Sequence, residues 1–221
     1  MAEQVRVLQI ITPHRFAGAE RQVGLMSEAL MKRGHRVHVV MPDRVPLFNE
    51  FLRGRGVPVW HQKIGGKLNL FARGRIMRLA CEVGAKVIHT HLSSGSMWGL
   101  AAARRLGVAS VGHVHGMNAL GWYAGADVIL AGSHGIAAHL EAQGAPKEKL
   151  RVIYYAIDPE EFERLRPAEE VRAHYELPAG RPTIGIAASL IPRKGHRYLL
   201  EAVALLKPKI SDLLCVIVGQ G

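Results

Sequence analysis

Apolar and polar positions run along this chain in two rhythms. Residues 5–11 form a short, mostly apolar strand-type run, and residues 12–19 interrupt it as a loop. Val23, Met26, Ala29 and Leu30 then recur at helical spacing until Gly34 stops the helix, and residues 37–41 read as a second strand. The pattern repeats, with strands predicted at 57–64, 87–91, 108–114, 128–131 and 152–155 and helices at 71–83, 97–106 and 136–143. Such alternation predicts an α/β domain in which helices cover both faces of a parallel sheet. Residues 163–182 are charged and contain Pro167, Pro178 and Pro182, the composition of a connection between domains. After it come a strand (183–188), a helix (198–206) and a strand (213–218). The predicted organisation is an N-terminal domain over 1–162, a linker over 163–182, and the beginning of a second α/β domain over 183–221.

A hydrophobic content of 48% supports a packed core, and the 24 glycines and 11 prolines are dispersed at turn-like positions, with no internal repeat. The apolar run 8–11 is too short for a signal-peptide core or a membrane span, so a cytoplasmic protein is expected. Cys81 and Cys215 belong to no CxxC or zinc spacing and read as reduced, buried residues, and no metal site is expected. The formal charge of +11 predicts attraction to anions, whether nucleotide phosphates, lipid headgroups or nucleic acid. No RNA-binding or helix-turn-helix motif accompanies it, so nucleic acid is not an expected partner. Residues 44–78 hold eight basic residues against Glu50, a net +7. Lys67, Arg73 and Arg75 there lie among Leu68, Leu70, Phe71, Ile76 and Met77. Basic and bulky apolar residues mixed in this way predict a face for an anionic membrane, on its inner side, or for a lipid-linked acceptor, and a solvated basic face over a core helix is the competing reading.

Ligands of open parallel sheets bind beyond the carboxyl ends of strands, which directs attention to four loops. Ala17-Gly18-Ala19-Glu20 opens a helix, where free N–H groups favour an anion; a glycine that merely makes a turn is the other reading. His89-Thr90-His91 and Gly112-His113-Val114-His115-Gly116 place imidazoles at two strand ends, and His113 and His115 share a face while the chain stays extended. His115, beside a glycine at the strand end, is the strongest candidate of the twelve histidines. Ser189 to His196 spans a strand-to-helix crossing, where Arg193 and Lys194 supply cationic donors for phosphate oxygens.

These segments together resemble family-4 glycosyltransferases of the GT-B fold, along essentially the whole chain. Ala188-Ser189-Leu190-Ile191-Pro192-Arg193-Lys194-Gly195-His196 with Leu199, Leu200, Glu201 and Ala202 is similar to that family's G-R-L-x-P-x-K-G…L-x-x-A segment. Ala17-Gly18-Ala19-Glu20 resembles its G-G-A-E loop, and Val218-Gly219-Gln220-Gly221 its V-G-x-G strand end. The resemblance implies two Rossmann-like domains and transfer of a sugar from a nucleotide-sugar donor to a saccharide or lipid-linked acceptor with retention, without a cofactor or metal. It places Gly18 near the donor diphosphate or sugar, His115 beside the reacting sugar, and Lys194, assisted by Arg193, on the diphosphate. The alternatives are a non-catalytic domain that binds acceptor or membrane, and a sugar-nucleotide epimerase of the same architecture. Ser189 replaces a family arginine, Ala17 replaces a glycine, and Tyr155-Ala156-Ile157-Asp158-Pro159 stands for N-G-V-D-P. The family's paired glutamates would lie beyond Gly221, so these 221 residues alone are expected to be inactive in transfer.

Overall fold

The computed structural model describes residues 3–66, 68–163 and 165–220, which form two compact units, Met1–Ile157 and Asp158–Gly221. The first unit is built on seven strands: β1 (Arg6–Ile11), β2 (Arg36–Met41), β3 (Val59–His61), β4 (Val87–His91), β5 (Ala109–Val114), β6 (Val128–Ala131) and β7 (Leu150–Val152). All pair in parallel, in the order β3-β2-β1-β4-β5-β6-β7. Its helices are α1 (Gly18–Lys32), α2 (Pro46–Gly54), α3 (Ala72–Val83), α4 (Ser93–Leu106) and α5 (His134–Ala142). The predicted parallel sheet with helices on both faces, a Rossmann-like fold, is present.

Side chains alternate across a strand, so neighbouring positions on β1 and β2 feed different cores. Ile11, Val39 and Met41 join Val23 of α1 and Phe48 and Leu52 of α2. Leu8, Ile10, Val40 and Ile88 meet Ala72, Ile76, Leu79 and Ala80 of α3 and Ala102 and Ala103 of α4. A third cluster joins Val114, Ile129 and Ala131 to Ala137 and Leu140 of α5.

Helix α2 lies where no element was predicted. Pro46 occupies its first turn, where a missing N–H costs nothing, and Phe48 and Leu52, four residues apart, are fully buried. Burial of two such side chains stabilises by about 1.5–3 kcal/mol each, which holds this short helix against the sheet. Predicted strand 57–64 keeps only 59–61, because the backbone then curls, with Ile64 N–H donating to Gln62 O. Cys81 is exposed rather than buried, and Cys215 is half-buried.

The second unit contains α6 (Glu160–Glu163), α7 (Ala168–His174), β8 (Thr183–Ala187), α8 (His196–Leu206) and β9 (Leu214–Val218), with β8 and β9 paired in parallel. The stretch read as a linker thus carries α7. Gly219 sits where two backbones meet: a Cβ there would lie 1.9 Å from Ala188 O, so the turn after β9 requires glycine. Among the described residues no helix is long and apolar enough to cross a membrane.

Candidate active site

Strand order reverses between β1 and β4, whose connections leave to opposite faces of the sheet, and this is where an open α/β sheet forms its crevice. Residues 12–17 link β1 to α1, and Leu92 alone links β4 to α4. Leu92 has φ 61°, a left-handed backbone that costs a leucine about 1–3 kcal/mol and is retained here, at the crevice. Thr12 of the first connection and Ser94 in the first turn of α4 are joined through their hydroxyls at 2.8 Å. Gly95 permits the approach, since a Cβ there would stand 3.3 Å from Ile10 O.

Gly18 is the first residue of α1, not part of the preceding loop, and nothing lies within 4 Å of where its Cβ would be. Ala17 has extended backbone (φ −147°), so the methyl group that replaces a glycine hydrogen introduces no strain. Glu20 is buried, and its Oε2 accepts from Ala17 N–H at 3.0 Å. Burial raises its carboxyl pKa, against the hydrogen bonds from backbone N–H groups and nearby Arg15 and His14.

Beside this switch point, a polar ladder runs along one sheet face. Register pairs Gln9 with His89 and His91 with His113, and the histidine pairs of β4 and β5 therefore meet. His113 and His115 do share a face, with ring centroids 4.3 Å apart. Gln9, His89, His91 and His113 are all at most 5% exposed. Four hydrogen bonds run from His115 inward: His115 Nε2 to His91 Nδ1 at 2.9 Å, His91 Nε2 to Gln9 Oε1 at 2.8 Å, Gln9 Nε2 to Ser27 Oγ at 2.8 Å, and Ser27 Oγ to Val23 O at 2.7 Å. His115 Nδ1 is hydrogen-bonded to the hydroxyl of Tyr155.

Proton inventory fixes the direction of this chain. Val23 O only accepts, so Ser27 gives it its single proton. Gln9 must then donate to Ser27 through its amide NH2, leaving Oε1 to accept from His91 Nε2–H. A neutral His91 has only a lone pair left at Nδ1, which accepts from His115 Nε2–H. His115 Nδ1 is consequently an acceptor, and Tyr155 is its donor.

The rings are neutral. Burial, and then the neighbouring imidazoles, hold His89 down to about 3, His115 to about 2 and His91 well below the ordinary histidine value, and burial alone takes His113 to about 4. Burial also raises the Tyr155 hydroxyl, so it stays a donor. Tyr155 itself is 38% exposed, and Gln22 clamps its neighbour Ala156 to α1 by hydrogen bonds to Ala156 O (2.7 Å) and from Ala156 N (3.3 Å). His89 Nε2 and both nitrogens of His113 are buried without a hydrogen-bond partner, which costs about 1–3 kcal/mol for each unmet group.

The other predicted residues lie elsewhere. Arg193 and Lys194 are exposed on a 3-10 turn, Pro192–Lys194, that leads into α8 through Gly195 at φ 75°. Arg73 is exposed on α3, while Arg75 donates to Lys63 O at 2.8 Å. Ile76 is fully buried, so it leaves the proposed membrane face, whereas Leu68, Leu70 and Phe71 are 92%, 78% and 75% exposed. Lys67 and Gly221 lie outside the described residues. A cleft of about 530 Å³ opens at the ends of β2 and β3, lined by Asp43, Arg44, His61, Lys63 and Asn69 among others. Gln9, Ser27 and Tyr155 were not recognised as site residues from sequence; a lone glutamine inside an apolar strand was the available signal.

Solved structures with this fold include a glycosyltransferase from Rickettsia africae (TM-score 0.81, 19% identity, covering 99% of this chain and 61% of that one). Anabaena HepE in complex with UDP and glucose matches with TM-score 0.84 at 19% identity, covering 99% and 62%. A putative UDP-N-acetylglucosamine 2-epimerase from Listeria monocytogenes matches with TM-score 0.63 at 14% identity, covering 98% and 62%. The chain therefore spans about three fifths of the length of these proteins. No curated protein sequence matches it significantly. The sequence model of glycosyltransferase family 4 matches residues 16–161, and the chain belongs to that family.

Proposed function

We propose that this chain supplies the acceptor-side domain, and the first part of the donor-binding domain, of an enzyme that moves a sugar from a nucleotide-sugar donor to a saccharide or lipid-linked acceptor with retention. Family membership and the UDP and glucose bound by HepE support the donor class. The observation that carries the reading is His115: neutral, just past the end of β5, with the lone pair of Nδ1 turned toward the hydroxyl of Tyr155, a residue that is itself partly exposed. A sugar hydroxyl can replace Tyr155 as donor there, whereas a phosphate oxygen has no proton to offer. His115 thus reads the sugar; candidate donors to a diphosphate are Gly18 at the start of α1 in the first unit and, in the second unit taken by itself, Arg193 and Lys194. The cleft at β2 and β3, with Arg44 and Lys63, suits an acceptor that carries negative charge.

In the reaction the bond from the sugar C1 to the diphosphate oxygen breaks and its electron pair leaves with the diphosphate. The acceptor hydroxyl oxygen bonds to C1, and its proton passes to the departing phosphate. The protein's contribution is positioning and stabilisation of the charge that develops, with no side-chain nucleophile. The test is a transfer assay with a panel of nucleotide sugars, on a form of the protein as long as its structural relatives. Lys194→Ala and Arg193→Ala are each expected to weaken donor use by about 10- to 150-fold, the value of a charge-assisted hydrogen bond of about 1.5–3 kcal/mol. His115→Ala is expected to reduce turnover more than nucleotide affinity. Undiminished transfer in all three variants refutes the assignment. Epimerase-fold relatives keep a second reading in view, and product analysis without acceptor separates it: an epimerised nucleotide sugar with no transfer product favours the epimerase.

A further inference from the structure

We infer that His89, His91 and His113 form a binding site for one divalent zinc ion, an assignment independent of sugar transfer. One ring nitrogen from each lies within 4.8 Å of those of the other two. The three side chains are buried, and three of their ring nitrogens, His89 Nε2 with Nδ1 and Nε2 of His113, have no hydrogen-bond partner. Buried polar atoms left without partners call for an occupant, either an ion or an ordered water. An all-imidazole set favours a borderline metal such as zinc over magnesium or calcium, which seek oxygen ligands.

The geometry is close to what zinc needs. Ring centroids are separated by 4.4 Å (His89 to His91), 5.4 Å (His91 to His113) and 5.6 Å (His89 to His113). Three imidazoles around a tetrahedral zinc, with Zn–N near 2.0–2.1 Å, require centroid separations of about 5 Å and nitrogen separations of about 3.3 Å. The rings therefore have to turn more than travel, and the 7° parallel alignment of His89 and His113 is what gives way. His91 already has the outer hydrogen bond typical of a metal-bound histidine: Nε2–H donates to Gln9 Oε1, which Ser27 holds in place. Its Nδ1 becomes available by releasing His115 Nε2–H, and the fourth position is left to water.

The experiment uses the untagged 221-residue chain, stripped with EDTA and titrated with Co2+ as a spectroscopic stand-in for zinc. One equivalent is expected to bind with the strong visible absorption of tetrahedral cobalt, and Zn2+ should displace it. His89→Gln and His113→Gln are each expected to weaken binding at least 100-fold while circular dichroism shows a native fold. Gln9→Leu should weaken it about 10- to 100-fold through the lost outer hydrogen bond. His174→Gln, an exposed residue of the second unit, should leave it unchanged. Absence of a tetrahedral cobalt spectrum from the wild-type chain, with water filling the site instead, overturns the inference, as does undiminished binding by folded His113→Gln. Should the histidine variants fail to fold, X-ray absorption of the zinc-loaded wild-type chain decides: three imidazole ligands support the site, and fewer overturn it.

Discussion

Replacement of Gln9 by leucine tests the directed hydrogen-bond chain most directly. The side chains are of similar volume and Gln9 is fully buried, so packing changes little while two hydrogen bonds of 2.8 Å vanish. Ser27 keeps its donation to Val23 O and loses only a donor to its oxygen. His91 fares worse: its Nε2–H is left in a fully buried position without an acceptor. That desolvated donor costs about 1–3 kcal/mol, and extra apolar burial by leucine offsets only part of it. For a chain of this size each kcal/mol corresponds to about 2–4 °C, so melting should fall by about 2–12 °C less the part that leucine burial offsets. Tautomers should change as well, because nothing then forbids His91 from carrying its proton on Nδ1 and reversing the bond to His115. Long-range proton–nitrogen NMR on histidine-labelled chain reads this: His91 and His115 both protonated at Nε2 in the wild type, a mixture in Gln9→Leu. A wild-type His115 protonated at Nδ1 at pH 7 would falsify the network, whatever the melting temperatures show.

The remaining predictions concern the frame around the site. Gly99→Ala places a Cβ 2.5 Å from Thr90 Cγ2, and Thr90 cannot turn away without losing its donation to Val111 O. Overpacking of about 1–3 kcal/mol should exceed the roughly 1 kcal/mol that alanine gains in a helix, and adding Thr90→Ser, which removes the nearer methyl group and leaves the approach to Ile10 Cδ1 at 3.0 Å, should recover part of the stability; no recovery would count against the steric account. Asp127 accepts from Ser110 Oγ and N, bonds that hold its carboxyl below the ordinary value, so its contribution is present above about pH 4 and fades as pH falls through the lowered pKa. The melting difference between wild type and Asp127→Asn should accordingly shrink from pH 6 to pH 3, and a flat difference refutes the assignment. For the exposed trio Leu68, Leu70 and Phe71 beside Arg73 and Arg78, the chain should sediment with anionic vesicles and not with neutral ones, and Phe71→Asp should weaken this.

What was legible in the sequence is what local pattern controls. β4 and β6 begin and end where alternation places them, because their neighbours in the chain are punctuated by glycines and helical spacing. α4 starts at Ser93, four residues before its predicted start, because Ser-Ser-Gly-Ser reads locally as a turn. Contacts distant in the chain are not in that local pattern: Gly95 lets this turn pack close to the end of β1, 85 residues away, and Ser94 bonds to Thr12. The same limit applies to the site. His115 stands out by its place at a strand end, but its protonation depends on Gln9 and Ser27, which no spacing connects to it. The two His-x-His runs contain no metal spacing either; they become one cluster only through the β4–β5 register.

That register also ties the zinc site to the proposed sugar site. His91 Nδ1 has one lone pair, and in the proposed site two claimants: the Nε2–H of His115, to which it is bonded, and the inferred ion. With the metal absent, His91 holds His115 in the tautomer whose Nδ1 accepts from a hydroxyl. With the metal bound, His115 is released from that hold, its proton is free to occupy either nitrogen, and the preference for a donor hydroxyl is lost. Linkage then requires the effect to run both ways, so a sugar hydroxyl that stabilises the Nδ1-acceptor form of His115 must weaken the metal by the same factor that the metal weakens the sugar. The observable is the His115 tautomer in the wild-type chain with and without one equivalent of zinc: locked at Nε2–H without the ion and mixed with it. A tautomer indifferent to bound zinc would show that His91 coordinates without giving up its bond to His115, and the two sites would be neighbours without being coupled.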